Sequence, residues 1–196
     1  MPEDVPTELV LIRHAPVAGD GRMCGRRDLP ADCSDTAAFA RLVAQLPRPA
    51  RIVHSPALRC VQTVEALWPG ARKSADPSLW EQDFGEWEGL PHAALPDLGP
   101  MDRTALAAHR PPGGESFVDL CARVQPALLA LRDRQPAPEP GPVAVTAHAG
   151  TVRAALALAL GSVAAALAFE IAPLSLTRLS LRADGQHVIH AVNQCA

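Results

Sequence analysis

Two short apolar runs, each ending on a histidine, stand near opposite ends of this 196-residue chain: Leu9-Val10-Leu11-Ile12-Arg13-His14 and Val143-Ala144-Val145-Thr146-Ala147-His148. A continuous apolar run of this length reads as a strand buried on both faces, the kind found in parallel sheets. Ligands of open α/β sheets bind just beyond the carboxyl ends of such strands. If the two strands are neighbours, two imidazoles face one site.

Arg51-Ile52-Val53-His54 predicts a further short strand, and Ser55-Pro56 after it predicts a helix start, with Ser55 as N-cap and Pro56 at the first helical position. Arg59 then falls in the first turn, where backbone N–H groups and the helix dipole favour an anion and a guanidinium adds a bidentate fork. Apolar spacing predicts one helix over about 34–46, with Phe39, Leu42, Val43 and Leu46 on one face. Ser116 is expected to cap another that reaches about Gln135 and carries Val118, Cys121, Val124, Leu128 and Leu131. A Pro-rich linker, Pro136 to Pro142, leads to the His148 strand and a helix from Thr151. Leu174 to Leu181 and His187 to Val192 alternate and are joined through Asp184-Gly185, an antiparallel hairpin.

This order of elements predicts an α/β fold: a three-layer α/β/α sandwich whose central sheet is mostly parallel with an antiparallel edge. No repeat or composition break divides the chain, so one domain over 1–196 is expected, with the irregular stretch 76–115 roofing the site. Trp80, Phe84 and Trp87 cluster in that stretch around Glu81.

A net charge of −3 without a local basic patch argues against a nucleic acid or an anionic membrane as partner. The apolar stretch Ala154 to Ile171 is Ala-rich and broken by Gly161, Ser162 and Glu170, which predicts a buried helix rather than a membrane span. Met1-Pro2-Glu3-Asp4 is acidic and lacks the cationic start of a secretory signal. Cys24, Cys33, Cys60, Cys121 and Cys195 are scattered, with no Cys-x-x-Cys pair, and read as free thiols of a reducing compartment. A cytoplasmic chain with a small-molecule partner and no cofactor is expected. The Ala-rich segment and the edge hairpin leave room for a homodimer.

Moving a phosphoryl group needs cationic clamps, an in-line nucleophile and a proton source for the leaving oxygen. Arg13 and Arg59 can clamp, a neutral imidazole of His14 or His148 can attack, and a carboxylic acid beside the aromatic cluster can donate the proton. Glu81, Asp83, Glu86 and Glu88 all compete for that last role. Arg22, Arg26 and Arg27 are either a solvated loop or a second anion site.

The segment Leu11-Ile12-Arg13-His14-Ala15 resembles the Arg-His-Gly signature of the histidine phosphatase superfamily, which includes the cofactor-dependent phosphoglycerate mutases. Four further segments follow in the family's order: Ser55-Pro56-Ala57-Leu58-Arg59, Glu81 to Gly89, Gly113-Gly114-Glu115-Ser116-Phe117, and His148-Ala149-Gly150-Thr151-Val152-Arg153. The resemblance implies a metal-independent phosphoric monoester hydrolase with His14 as the phosphorylated nucleophile and Glu81 as the proton donor. It also implies that Arg13, Arg59, His148 and the N–H of Ala149 bind phosphate. Gly21 to Pro30 resembles a loop of α-ribazole phosphatases, which makes α-ribazole 5′-phosphate the substrate expected, although Met23-Cys24 stand where that branch carries Cys-Tyr. Ala15 replaces the usual glycine, a change that requires a negative φ there. Ala149-Gly150-Thr151 stands where mutases carry Gly-Asn-Ser, which favours a phosphatase. The alternatives are a mutase-like or broad-specificity sugar-phosphate phosphatase, and a phosphate-sensing or protein-binding member that has lost turnover.

Overall fold

The computed structural model describes residues 6–19, 21–133 and 140–195. The acidic start, the expected helix end at Gln135 and most of the Pro-rich linker lie outside them. Among the described residues six strands form one sheet: β1 (Thr7–Arg13), β2 (Arg51–His54), β3 (Ser74–Ala75), β4 (Val143–Ala147), β5 (Leu176–Leu181) and β6 (Val188–Gln194). They are ordered β3-β2-β4-β1-β5-β6. The pairs β3/β2, β2/β4 and β4/β1 are parallel, whereas β5 runs antiparallel to β1 and β6 antiparallel to β5. The mostly parallel sheet with an antiparallel edge is therefore present, extended by a two-residue edge strand that carries no apolar run to announce it.

Helices cover both faces: α1 (Thr36–Gln45) and α2 (Leu58–Leu67) on one, α4 (Phe117–Asp133) and α5 (Ala149–Leu160) on the other, with short α3 (Arg103–Ala108) and α6 (Val163–Ala166) beside the latter pair. Strand alternation divides the core between these layers. Leu9 and Leu11 of β1 join Val143 and Val145 of β4 in a cluster with Leu120, Val124, Leu128 and Leu156, while Val10 and Ile12 point the other way onto Phe39, Leu42 and Leu67.

Several local expectations shift. Val43 and Val118 are exposed rather than packed, and Leu120 joins Cys121, Val124, Leu128 and Leu131 on the buried face of α4. Ser116 does cap α4: its Oγ accepts from the Asp119 N–H at 3.1 Å while the Asp119 carboxylate accepts from the Ser116 N–H at 2.8 Å, a reciprocal capping box. The Ala154 to Ile171 stretch is not one helix, since α5 stops at Gly161 and α6 restarts after Ser162. Among the described residues no helix is long and apolar enough to cross a membrane.

The start of α2 departs most usefully from expectation. Its N-cap is Ala57, not Ser55, and it has no side-chain cap of its own. Asp28, thirty residues earlier, fills the place by accepting the Leu58 N–H at 2.6 Å. The negative carboxylate also sits at the positive end of the helix dipole. Replacing Asp28 by Ala is expected to lower stability by about 1 kcal/mol, the usual cost of a lost cap, read as a lower urea midpoint at unchanged slope.

Candidate active site

Arg13 pairs with Ala147 in the parallel β1/β4 register, and His14 donates its backbone N–H to the Ala147 carbonyl at 2.9 Å. The next residue on each strand is a histidine, so the two imidazoles meet with ring centroids 5.2 Å apart at 68°. On the other side of β4, His54 pairs with Thr146 and the Ser55 N–H reaches the Thr146 carbonyl at 3.0 Å. Three strand ends thus finish level, and the site is built on them.

The Nδ1 of His14 lies 2.6 Å from the Ala15 carbonyl. A carbonyl only accepts, so Nδ1 carries the hydrogen and Nε2 keeps its lone pair. Burial, with further repulsion from Arg59 and Arg13, pushes the His14 pKa down to about 3. The ring is therefore neutral at pH 7, as an attacking nitrogen must be. Ala15 is not among the described residues with positive φ, which are Leu174 and Asn193 besides glycines, so the missing glycine costs no backbone strain. Its methyl is buried, and its N–H donates to Thr63 Oγ1 at 2.9 Å.

His148 is fully buried behind His14 and does not line the pocket. Its Nε2 is 2.8 Å from Ser55 Oγ, Cys60 Sγ lies 3.6 Å from the same nitrogen, and Trp80 stacks on the ring at 9° with centroids 6.3 Å apart. Burial first, then Arg59, holds its pKa well below the ordinary histidine value. It caps the N-terminus of α5 with no side-chain hydrogen bond, and Ala149 is the first residue of that helix.

Arg59 is in the first turn of α2 as expected, but its fork is partly engaged: Nη1 donates to the Arg27 carbonyl at 2.9 Å and Nη2 to the Gly25 carbonyl at 2.7 Å. Nε has no protein partner although the side chain is buried. Arg13 is held in the same way, Nη1 on the Ile171 carbonyl at 2.6 Å with a buried Nε lacking a partner. Backbone carbonyls thus fix both guanidiniums at the pocket wall.

Glu81 enters from the irregular segment. Its Oε1 accepts the Gln82 N–H at 2.9 Å and its Oε2 faces the Gly150 N–H at 3.4 Å. A Cβ on Gly150 would stand 2.1 Å from Oε1, so only glycine lets the carboxylate approach the head of α5 this closely. Asp83, Glu86 and Glu88 do not line the pocket; the Glu88 carboxylate instead ties the Arg26 and Phe84 N–H groups.

These groups open onto one pocket of about 350 Å³. Arg13, His14, Arg59 and Glu81 lie together on its wall. Its outer part adds Arg22, Met23, Cys24, Phe84 and His92. His92 and Phe84 have no strand or helix signal to place them, and Ser55 and Gly150 are visible in sequence only as members of their segments. His54 ends the short strand predicted for it and is buried there. All five cysteines are unpaired.

The model of the histidine phosphatase superfamily (branch 1) matches residues 9–194. Glucosyl-3-phosphoglycerate phosphatase of Mycobacterium tuberculosis is 35% identical over 166 residues, which span 78% of this chain and 74% of the relative. The protein of the same name from Mycolicibacterium vanbaalenii is 33% identical over 168 residues with the same coverage. The native structure of a mycobacterial glucosyl-3-phosphoglycerate phosphatase superposes with a TM-score of 0.83 at 29% identity, over 96% of this chain and 99% of that one. A putative α-ribazole-5′-phosphate phosphatase from Escherichia coli shares the fold, with a TM-score of 0.80 at 20% identity over 97% of each chain.

The depressed pKa of His14 makes stability depend on acid. The unfolded chain takes up this proton near 6.5 and the folded chain only near 3, so stability falls as pH drops through that window. Urea melts between pH 7 and 4 should show a loss approaching about 1.4 kcal/mol per pH unit from this group. His14→Gln should flatten that slope.

Proposed function

This chain belongs to the histidine phosphatase superfamily (branch 1) and is a phosphoric monoester hydrolase; we propose that it cleaves a small phosphorylated metabolite through phospho-His14, with Glu81 as the proton donor. The observation that carries this reading is the His14 ring, held by Nδ1–H on the Ala15 carbonyl so that the lone pair of Nε2 serves the pocket shared with Arg13, Arg59 and Glu81. Nε2 attacks phosphorus, the P–O ester bond breaks, and the leaving oxygen takes the proton of the Glu81 carboxylic acid. The Glu81 carboxylate then takes a proton from water as the resulting hydroxide attacks phosphorus. The P–N bond breaks, inorganic phosphate leaves, and both residues return to their starting state.

Arg13 and Arg59 on the pocket wall neutralise the equatorial oxygens, while His148, buried behind His14, backs the attacking ring and Ala149 begins the helix whose positive end lies behind it. Cations fixed by backbone carbonyls need no reorganisation when charge develops, so guanidiniums take the part that a metal plays elsewhere. The outer wall supports a polar leaving group: Arg22 and His92 can meet the carboxylate and hydroxyls of a phosphorylated sugar acid such as glucosyl-3-phosphoglycerate, in keeping with the named relatives. α-Ribazole 5′-phosphate is the second reading. Its support is the Gly21 to Pro30 loop with Met23 and Phe84, apolar faces suited to a planar base. The five unpaired thiols support a reducing compartment, the cytoplasm.

Hydrolysis of p-nitrophenyl phosphate should proceed unchanged in EDTA, and His14→Ala should lower kcat by at least about a thousandfold. Glu81→Gln should cost about 10²–10⁴-fold on an alkyl phosphate, whose leaving oxygen needs the proton, and far less on the nitrophenyl ester. Loss of activity in EDTA, or equal losses on the two esters, would remove this mechanism. Comparison of kcat/KM for glucosyl-3-phosphoglycerate and α-ribazole 5′-phosphate decides between the two leaving groups.

A further inference from the structure

The backbone that presents Glu81 is tied at four successive carbonyls. Arg123, one-third of the way along α4, donates from Nη1 to the Ser78 carbonyl at 2.8 Å and the Trp80 carbonyl at 3.0 Å, and from Nη2 to the Glu81 carbonyl at 3.4 Å. The Leu79 carbonyl between them accepts from Thr151 Oγ1 of α5 at 3.2 Å. Glu115 braces the guanidinium from the other side, with Oε1 2.5 Å from Nη2 and Oε2 3.4 Å from Nε. The same Oε1 accepts the Asp83 N–H at 3.1 Å, and the Glu115 carbonyl accepts from the Gln82 side chain at 2.8 Å. The chain on both sides of Glu81 is therefore held by the Arg123–Glu115 pair, with Arg26 a second cation 3.6 Å from the Glu115 carboxylate.

No helix or strand ladder holds residues 80–84, and a loop left to itself would let the carboxyl wander. A planar guanidinium with five donors can bridge several carbonyls at once, whereas an ammonium is a point charge on a flexible stem. Both partners are largely buried, with Arg123 22% and Glu115 14% exposed, so water competes weakly for these bonds. Of the residues that line the pocket, the pair bonds only Glu81, and that at its main-chain carbonyl; neither Arg123 nor Glu115 lines the pocket itself.

We infer that Arg123 and Glu115 form a positioning clamp that holds the proton donor Glu81 against the leaving oxygen, without themselves touching substrate. This rests on the acid role of Glu81 proposed above. The clamp acts on protonation of the leaving group and not on phosphate binding or nucleophilic attack, and that separation makes it testable.

The experiment compares β-glycerophosphate, a poor leaving group, with p-nitrophenyl phosphate, a good one, in wild type, Arg123→Met, Arg123→Lys, Glu115→Gln, Glu81→Gln and the Glu81→Gln/Arg123→Met double variant. Arg123→Met should lower kcat on β-glycerophosphate about 30-fold or more and on the nitrophenyl ester less than about threefold, as expected when general-acid assistance is lost. Inhibition by inorganic phosphate should stay within about twofold. Arg123→Lys and Glu115→Gln should show the same selectivity at smaller size. These two conservative variants keep the test decisive if Arg123→Met does not fold. In the double variant the loss on β-glycerophosphate should not exceed that of Glu81→Gln alone, since both act through one group. Equal losses on the two esters, a weakened phosphate affinity, or additive losses in the double variant would overturn the clamp. If Glu81→Gln itself lacks leaving-group selectivity, the acid assignment fails instead, and the two failures are told apart.

Discussion

Everything in this site depends on one strand pairing. The parallel register of β1 and β4, Leu9 on Val143 through Arg13 on Ala147, brings His14 and His148 to the same level from positions 134 residues apart. Slipping that register by one residue would turn alternate side chains to the opposite face. Leu9 and Leu11 would then leave the cluster beneath α4 and α5, and Val10 and Ile12 would leave the one beneath α1 and α2. The core on both faces therefore enforces the alignment that the chemistry uses.

Around that pair the protein replaces mobile solvent with fixed dipoles. Arg13 and Arg59 are each pinned by main-chain carbonyls and each retains a buried Nε without a protein partner. Such cations cost desolvation when the pocket is empty and regain it when an anion arrives. The neutral state of both imidazoles follows from the same burial and the same nearby guanidiniums. A charge that would be repelled by Arg13 and Arg59 is kept off the ring that must attack, and the incoming phosphate is attracted by the same two groups.

Much of this was legible in the amino-acid order because buried parallel strands advertise themselves as apolar runs. β1, β2, β4 and the β5/β6 hairpin could be placed, and with them Arg13, His14 and His148. Arg59 could be placed in a first helical turn by the Ser55-Pro56 start signal, although the cap itself lay elsewhere, in Asp28. What stayed hidden was whatever depends on long-range contact between irregular segments. Nothing periodic marks Glu81 against Asp83, Glu86 or Glu88, and only the fold shows that Gly150 admits its carboxylate while Arg123 holds its carbonyl and Thr151 that of Leu79. His92 reached the pocket wall, and Ser55 the ring of His148, by the same unpatterned route.

The most direct test of the central claim is to trap the intermediate. Rapid alkaline quench of the enzyme during turnover of a labelled phosphomonoester, followed by peptide mapping, should find an alkali-stable, acid-labile phosphoryl group on the peptide that contains His14. A label on any other residue, or none under conditions where turnover is measured, would contradict the account.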